Sequence, residues 1–328
     1  MKNYQAVGIG NAVVDVICRS DDASLARMGI EKGVMQLIDA GRSETLYEAM
    51  ENRVQVAGGS VANTMAGLGA LGLSTGFIGR VRDDDLGRAY AADMARLGTD
   101  FVNPPVAGDD LPTSRCMIFV SPDGERSMNT YLGISTELDA ADVPDNVVSN
   151  AGLLLLEGYL FDKPKGKAAL AAAAEACRNA GGMAGISLSD PFCVDRHRSD
   201  FRSLVRGLDY VIGNEHEWAS LYQTADLDSA LAQAAAKTGL VVCTRSGDGV
   251  ILMRGDNRID VPVTRIAPVD TTGAGDQFAA GFLYGLSTGR SMQAAGRMGC
   301  IAAAEVISHY GARPETNVKA LFAAEGLI

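Results

Sequence analysis

The sequence predicts an α/β fold in which a doubly wound, mostly parallel β-sheet carries helices on both faces. Two observations predict it. Short apolar runs alternate with stretches of helical periodicity along most of the 328 residues. These runs are apolar on both faces, which is typical of parallel strands covered by helices on each side. The expected strands are Gln5–Gly10, Ser74–Ile78, Leu153–Glu157, Met183–Leu188, Asp209–Ile212 and Leu240–Thr244, and the expected helices are Ser60–Leu71, Leu86–Leu97, Lys165–Ala180, Leu227–Thr238, Ala274–Leu286 and Met292–His309.

A second, smaller sheet is predicted from segments that break this alternation. Two strand-like segments, Arg115–Ser121 and Glu125–Leu132, flank the tight-turn residues Pro122-Asp123-Gly124. The segments Val13–Arg19 and Val34–Leu37 are also strand-like, with no long helix between them. An inserted sheet beside an open α/β domain is a natural lid. Because the chain has no repeat or Pro/Ser-rich linker, we expect one domain over residues 1–328, with lid strands drawn from about 12–40 and 101–133.

Composition and charge argue against several classes of protein. Hydrophobic residues make up 47% of the chain, which fits neither a disordered nor a fibrous protein. The formal net charge of -11 argues against a nucleic-acid partner, and no apolar run is long enough to cross a bilayer. The N-terminal segment lacks the parts of a signal peptide, and the six cysteines form no CxxC pair. We therefore expect a cytoplasmic protein.

The densest chemical signal is the glycine-rich turn Asp270-Thr271-Thr272-Gly273-Ala274-Gly275-Asp276, which precedes a predicted helix. Small residues at a helix start leave free N–H groups around a shared anion site, and the helix dipole helps keep Asp276 ionised. An anion hole beside an ionised carboxylate suits phosphoryl transfer to an alcohol, in which the carboxylate takes the hydroxyl proton. The alternative is an ordinary helix start with Thr272 near the N-cap. The chain contains no P-loop motif, which disfavours a Walker-type ATPase.

The sequence resembles the ribokinase/PfkB carbohydrate kinases in three motifs. DTTGAGD followed by FAAGFLYG is similar to the C-terminal signature of that family, and Gly58-Gly59-Ser60-Val61-Ala62-Asn63-Thr64 is similar to its N-terminal signature. Between them, IGRVRDDDLGRAY resembles a third family segment, with Arg82 where glycine is usual. The resemblance covers essentially the whole chain and implies the ribokinase-like version of the predicted fold. It also implies that Asp276 is the catalytic base and that Gly273, Ala274 and Gly275 supply the anion hole.

The same resemblance implies a substrate site around the first strand. A carboxylate at Asp15 can accept hydrogen bonds from two neighbouring hydroxyls, and the family has a hydroxyl-binding aspartate at this position. Gly58 and Gly59 would bring the backbone close to a sugar, with Ser60 and Asn63 in the first turn of the following helix. An ordinary turn aspartate and a capped glycine turn are the structural alternatives.

Three further segments resemble the bacterial adenosine kinases within the family: RSMNTYL at 126–132, EGYLFD at 157–162 and LSDPFCVDR at 188–196. A nucleoside base needs apolar surface and an aromatic ring beyond what a bare sugar requires. The lid arginine Arg126 would reach the transferring phosphate, although an exposed hairpin arginine without a role remains the alternative. The residues predicted to contact the nucleoside in these segments and before them are Asn11, Gln36, Met128, Thr130, Leu132 and Tyr159.

The nucleotide side is predicted from two motifs. Asn214 and Glu217 match the family motif NxxE, which implies that Glu217 organises Mg²⁺ through water; the same spacing is a helix capping box, and both can hold. Thr244, Ser246 and Gly249 match the nucleotide-binding turn TxGxxG of the family, with Ser246 in place of the first glycine. Finally, Asp270 and Thr272 match positions that shape a site for K⁺ in many relatives.

The sequence therefore predicts an ATP- and Mg²⁺-dependent kinase that phosphorylates the 5′-hydroxyl of adenosine. Its partners are a small-molecule substrate and ATP, with no nucleic acid and no membrane. The alternatives are a family kinase for ribose, fructose or inosine, an inactive ligand-binding protein on the same scaffold, and a dinucleotide oxidoreductase. The oxidoreductase is disfavoured because no complete GxGxxG motif occurs, and the retained Asp276 disfavours the inactive protein. Monomer and homodimer both remain open.

Overall fold

The computed structural model of the protein describes residues 4–108 and 111–328. Residues Met1–Asn3 and Asp109–Asp110 lie outside the described residues, and so do the parts of the predicted domain and lid ranges that fall on them. The described strands are β1 (Tyr4–Ile9), β2 (Val13–Arg19), β3 (Met35–Leu37), β4 (Val54–Gly58), β5 (Thr75–Ile78), β6 (Thr99–Phe101), β7 (Ser114–Val120), β8 (Arg126–Tyr131), β9 (Ala151–Glu157), β10 (Met183–Ser187), β11 (Tyr210–Asn214), β12 (Val241–Thr244), β13 (Val250–Arg254) and β14 (Asn257–Val261).

The larger sheet has nine strands within the described ranges, in the order β14-β13-β12-β11-β10-β9-β1-β5-β6. The run from β12 to β6 is parallel throughout, and β13 and β14 add an antiparallel hairpin at one edge. Strand β1 lies between β5 and β9, so the strand order reverses there. In open α/β sheets, ligands bind at the carboxyl ends of the strands beside such a switch point.

Helices cover both faces of this sheet, as predicted. One core packs α3 (Ser60–Ala70), α4 (Asp85–Arg96), α11 (Ala274–Ser287), α12 (Met292–Val306) and α13 (Val318–Ala324) on one face, and a second core packs the helices from α5 (Asp145–Val148) to α10 (Leu227–Ala235) on the other. The predicted main-sheet strands and helices are confirmed, with ends that differ by at most three residues. The helices are α1 (Asp22–Arg27), α2 (Ala40–Ala49), α3 (Ser60–Ala70), α4 (Asp85–Arg96), α5 (Asp145–Val148), α6 (Pro164–Asn179), α7 (Pro191–Arg196), α8 (Arg198–Leu204), α9 (Glu215–Tyr222), α10 (Leu227–Ala235), α11 (Ala274–Ser287), α12 (Met292–Val306) and α13 (Val318–Ala324).

A five-stranded lid sheet, in the order β3-β8-β7-β2-β4, stands beside the main sheet. One of its faces packs through Val16 and Met117 in the same core as Leu25 of α1 and Leu46 of α2. Because that core also contains helices of the main sheet, we propose that the two sheets form one domain. The opposite face of the lid sheet carries Asp15.

Two details of the lid differ from the prediction. Strand β4 belongs to the lid although it lies outside the predicted ranges. It was not predicted because its exposed Val-Gln-Val run is short and leads directly into the glycine turn. Strand β6, at the start of the second predicted range, pairs with β5 in the main sheet instead. Within the described ranges, none of the helices is both long and apolar enough to cross a membrane.

Candidate active site

Asp276 lies in the first turn of α11, where that helix meets the start of α3. Its carboxylate accepts hydrogen bonds from the Ser60 hydroxyl (2.6 Å) and from the Asn63 side-chain amide (3.0 Å). Burial raises the pKa of the Asp276 carboxyl to about 6, while Ser60, Asn63 and the charge of Arg313 oppose that rise. A carboxylate in this condition is ionised at neutral pH and basic enough to accept a proton from a bound hydroxyl.

The glycine-rich turn before α11 depends on one close backbone approach and one backbone hydrogen bond. Gly273 has a φ of 76°, and a Cβ on it would lie 2.6 Å from Ala312, so only glycine fits. The Ala274 amide donates to the Thr271 carbonyl at 3.2 Å. Among the described residues, the amides of Gly273, Gly275 and Asp276 have no hydrogen-bond partner. The amides that can receive an anion are therefore these three, and the Ala274 amide assigned to the anion hole serves the turn instead.

Asp15 lies on β2, on the lid face that looks toward the cleft. Burial raises the pKa of its carboxyl to about 6; Arg126 and Arg313 oppose the rise, and Asp276 adds to it. No donor in the described chain bonds this carboxylate. A Cβ on Gly58 would lie 2.4 Å from an Asp15 oxygen, so glycine at that position leaves room for the carboxylate. The unpaired carboxylate is available to accept hydrogen bonds from hydroxyl groups.

Asn11 and Glu157 join the ends of β1 and β9 at the switch point. The Asn11 backbone and side-chain N–H groups donate to one Glu157 oxygen (3.1 and 2.8 Å), and the Val61 amide donates to the other at 3.1 Å. The Ser135 hydroxyl oxygen lies 3.0 Å from the oxygen of the Asn11 side chain. Burial raises the pKa of Glu157 to about 7. Asn11 thus holds Glu157, which in turn fixes the start of α3, and its contact with a nucleoside stays a prediction.

The lid arginine reaches the glycine-rich turn. Arg126 donates to the Asp270 carboxylate and to the Thr272 hydroxyl, the latter at 2.8 Å, while its buried Nε has no partner in the described chain. Asp270 also accepts from the Thr272 amide and hydroxyl and from the Gly311 amide. The Arg126 guanidinium therefore binds the Asp270 carboxylate that was predicted to help bind K⁺. A monovalent cation does not fit this arrangement of the lid.

Strand alternation separates the predicted lid residues into two groups. Met128 and Thr130 lie on the face that carries Asp15. Gln36 pairs with Asn129 on the opposite face and donates to its side chain at 2.6 Å, so the structure does not bring Gln36 to the site. Its neighbour Leu37, which the sequence reasoning missed, lies on the site face.

The two remaining residues predicted to contact the base are Leu132 and Tyr159. Leu132 follows β8 directly, and its carbonyl accepts a hydrogen bond from the Ser135 hydroxyl at 2.7 Å. Tyr159 lines the same cavity as Asp276 and donates its hydroxyl to the Ser189 carbonyl at 3.2 Å. Tyr159 can therefore offer a fixed ring face to a ligand.

A groove of about 670 Å³ runs along the other side of the glycine-rich turn. Its wall includes Thr244, Ser246 and Gly249. Ser246 has a φ of 47°, the left-handed conformation that glycine adopts without cost, which explains the glycine usual at this position. The groove shares Asn214, Thr244, Thr271, Ala274 and Gly275 with a cavity of about 340 Å³ that Asp276 lines. The two spaces meet at the candidate anion hole.

The Asn214–Glu217 capping box is formed at the start of α9. The Asn214 side chain accepts from the Glu217 amide at 2.9 Å, and Glu217 accepts from the Asn214 backbone and side-chain N–H groups at 2.8 and 2.7 Å. Burial raises the pKa of Glu217 to about 7. Among the described residues, no cluster of three or more His, Cys, Asp or Glu side chains is suited to bind a metal directly. A Mg²⁺ ion that keeps its waters fits the site, since both residues line the 340 Å³ cavity.

The comparisons with known proteins agree with this geometry. Residues 34–319 match the family described as pfkB family carbohydrate kinase. A "probable sugar kinase protein" from Rhizobium etli CFN 42 has a crystal structure that is 42% identical, covers 100% of both chains and superposes with a TM-score of 0.91. The crystal structure of adenosine kinase from Sinorhizobium meliloti is also 42% identical over 100% of both chains, with a TM-score of 0.89.

A curated relative extends the similarity to an archaeon. An uncharacterized sugar kinase from Archaeoglobus fulgidus is 29% identical over 255 residues, which is 75% of this chain and 96% of the relative. The kinases of the family use ATP, typically with Mg²⁺. The chain therefore belongs to the PfkB family of carbohydrate kinases and is a phosphotransferase with an alcohol group as acceptor.

Proposed function

We propose that this kinase transfers the γ-phosphoryl group of ATP to the 5′-hydroxyl of adenosine, with Asp276 as the general base. The observation that carries the proposal is the position of Asp276. Its carboxylate borders a 340 Å³ cavity beside the Gly275 amide, which has no hydrogen-bond partner among the described residues, and that cavity adjoins the larger groove. A base, an anion site and two adjoining spaces are what transfer between two bound molecules requires.

The chemistry follows from these groups. Asp276 accepts the hydroxyl proton as the oxygen attacks the γ-phosphorus, and the bond from that phosphorus to the bridging oxygen of ADP breaks. The free amides of Gly273, Gly275 and Asp276 donate to the phosphoryl oxygens on which negative charge develops. Asn214 and Glu217 are the residues that would hold hydrated Mg²⁺, which neutralises phosphate charge when bound. Arg126, one of the lid residues, approaches the same turn.

The lid face supports a nucleoside over a bare sugar. Across the sheet, Asp15 is flanked by Val56 on β4, while Ile17 pairs with Ile118, which in turn pairs with Met128. Ile118, Met128 and Ile17 pack together on this face. Hydroxyl groups suit the Asp15 carboxylate, and a flat base suits the apolar surface around it. Asp15 for the ribose and the apolar lid for the base together support adenosine.

A sugar kinase is the second candidate. Two of the relatives above are described as sugar kinases, one of them at 42% identity over the full chain. The polar character of the 340 Å³ cavity, which Ser60, Asn63 and Ser189 line beside Asp276, also suits a ligand with many hydroxyls. For a sugar, the apolar lid face would remain in contact with solvent or with a second copy of the chain.

The test is ADP release from MgATP with adenosine, inosine, ribose and fructose offered separately. 5′-Deoxyadenosine serves as the matched control, because it keeps the base and the ribose ring but lacks the acceptor oxygen. We expect turnover with adenosine and none with the deoxy analogue. Turnover with ribose or fructose at equal efficiency would contradict the nucleoside assignment, and ADP release with 5′-deoxyadenosine would contradict the acceptor.

A further inference from the structure

A partly buried arginine outside all the predicted motifs contacts Asn63 beside Asp276. Arg313 lies in the segment between α12 and α13, with its side chain 19% exposed. Its Nε donates to the Asn63 side-chain carbonyl at 3.3 Å, its Nη2 donates to the Ala57 carbonyl, and its Nη1 lies 3.5 Å from the Asp93 carboxylate. One guanidinium thus joins the start of α3, the end of β4 and helix α4.

We infer that Arg313 is a positioning residue for phosphoryl transfer, which fixes the side-chain amide of Asn63 and places a positive charge near the Asp276 carboxylate. The inference rests on the proposed role of Asp276 as the base. Arg313 itself touches neither Asp276 nor Asp15 through a hydrogen bond in the described chain.

The orientation of the Asn63 amide follows from the chemistry of its two neighbours. An asparagine side chain presents an acceptor oxygen on one side and a donor NH₂ on the other, whereas a guanidinium only donates. Because Arg313 donates to the Asn63 oxygen, the Asn63 NH₂ must point to the Asp276 carboxylate, which it reaches at 3.0 Å. The opposite orientation would set oxygen against carboxylate and NH₂ against guanidinium. Arg313 therefore selects the orientation that binds Asp276.

The charge of Arg313 acts on both functional carboxylates. The ionisable groups around Asp276 are Asp15 on β2, Glu157 at the end of β9, Tyr159 in the turn that follows, and Arg313. Arg313 is the cation that opposes the rise in the pKa of Asp276; for Asp15, Arg126 opposes the rise most and Arg313 adds to that effect. An opposite charge nearby favours the ionised form of a carboxyl by roughly 1–3 pKa units in proteins. Without Arg313, burial should raise the pKa of both carboxyls further.

Hydrogen bonds fix the backbone before and after Arg313, so the position of its side chain is well defined. The Gly311 amide donates to Asp270 at 2.9 Å, and the Ala312 carbonyl accepts from Gln277 at 3.1 Å. Further on, the buried carboxylate of Glu305 accepts from the Thr316 amide at 2.8 Å. On the opposite side, Asp93 also accepts from the Ala57 amide at 2.9 Å, which fixes the anchor of the guanidinium.

The test is the pH profile of kcat/KM between pH 5 and 8.5 for the wild type, Arg313→Gln and Arg313→Lys. Arg313→Gln removes the charge, and we expect its acidic limb to move to higher pH by about one unit. Arg313→Lys keeps the positive charge but lacks the planar guanidinium. The acidic limb of its pH profile should therefore stay in place, while kcat falls about tenfold because the Asn63 amide loses its fixed orientation. Arg297→Gln, which removes an exposed arginine paired with Glu325 just after the end of α13, is the matched control and should change neither quantity.

The outcomes separate this inference from the proposed function. A wild-type protein without turnover on any offered substrate would contradict the function, whereas an active wild type with the same limb in Arg313→Gln would contradict the inference. The pKa of the Asp276 carboxyl can also be followed by carbon-13 NMR without substrate, with Asp276→Asn identifying its signal. If Arg313→Gln does not fold, Arg313→Lys decides: an unchanged kcat overturns the inference.

Discussion

Replacement of Asp15 by asparagine should stabilise the protein while weakening substrate binding. Asp15 is a carboxylate without a hydrogen-bond donor in the described chain, and burial raises its pKa from an ordinary 3.8 to about 6. A carboxyl whose pKa is raised by folding contributes stability below the unfolded-state value, near pH 4, and loses it as the pH rises through about 6. Above pH 7 the wild type therefore carries the full cost of the buried charge.

The magnitude follows from the shift. About two pKa units at about 1.4 kcal/mol each correspond to up to about 3 kcal/mol at pH 8, and to about half of that at pH 5. An asparagine has nearly the same shape and no charge. The free energy of unfolding of Asp15→Asn should therefore exceed that of the wild type by up to about 3 kcal/mol at pH 8 and by about half as much at pH 5.

The assay is urea unfolding at both pH values, with Asp85→Asn as the control for loss of one negative charge, since that side chain is fully exposed. The control should change the free energy of unfolding by less than about 0.5 kcal/mol. In parallel, calorimetry should show the affinity for the nucleoside reduced at least about tenfold while the affinity for ATP is kept, because one charge-assisted hydrogen bond is lost. A variant no more stable than the wild type at pH 8, or a gain that does not shrink at pH 5, would refute the reasoning.

Three further predictions follow from the same contacts. Gly273→Ala should lower the free energy of unfolding by more than about 2 kcal/mol, because its Cβ would meet the Ala312 backbone; Gly289→Ala, with positive φ but open space, should cost only about 1 kcal/mol in the same melt. The wild-type kcat/KM should fall as the pH drops through about 6, in step with protonation of Asp276 and Asp15, and a flat profile down to pH 5 would contradict the assigned base. Exchange of K⁺ for tetramethylammonium should change the rate less than about twofold, because Arg126 occupies Asp270; a loss of most activity would show that a cation displaces the guanidinium.

Local sequence carried the most predictive information about the site. The glycine turn, Asp276 and the Asn214–Glu217 capping box are each contained in one short segment, and their conformations follow from residue types at fixed spacing. The alternation of apolar runs and helical stretches was equally sufficient for the main sheet, because buried parallel strands and amphipathic helices have different periods.

Contacts between distant segments were not predictable in the same way. Arg313 and Asn63 are 250 positions apart, and no motif marks the arginine. Glu157 was noticed only as part of a resembling segment, although it fixes the start of α3. Gln36 was predicted to contact the nucleoside but lies on the lid face opposite Asp15, because the face of a strand residue depends on the register with the partner strand. Such information lies in the pairing of β3 with β8, not in the sequence of β3.

The most direct test of the central claim is single-turnover phosphorylation of adenosine by Asp276→Asn, compared with the wild type and with Ser60→Ala. The account predicts that Asp276→Asn binds adenosine with an affinity within about threefold of the wild type but forms AMP at least about a hundredfold more slowly, because the proton acceptor is gone. Ser60→Ala removes one hydrogen bond to Asp276 and should slow the step by about tenfold at most. A folded Asp276→Asn variant that forms AMP at near the wild-type rate would contradict the assignment of Asp276 as the base.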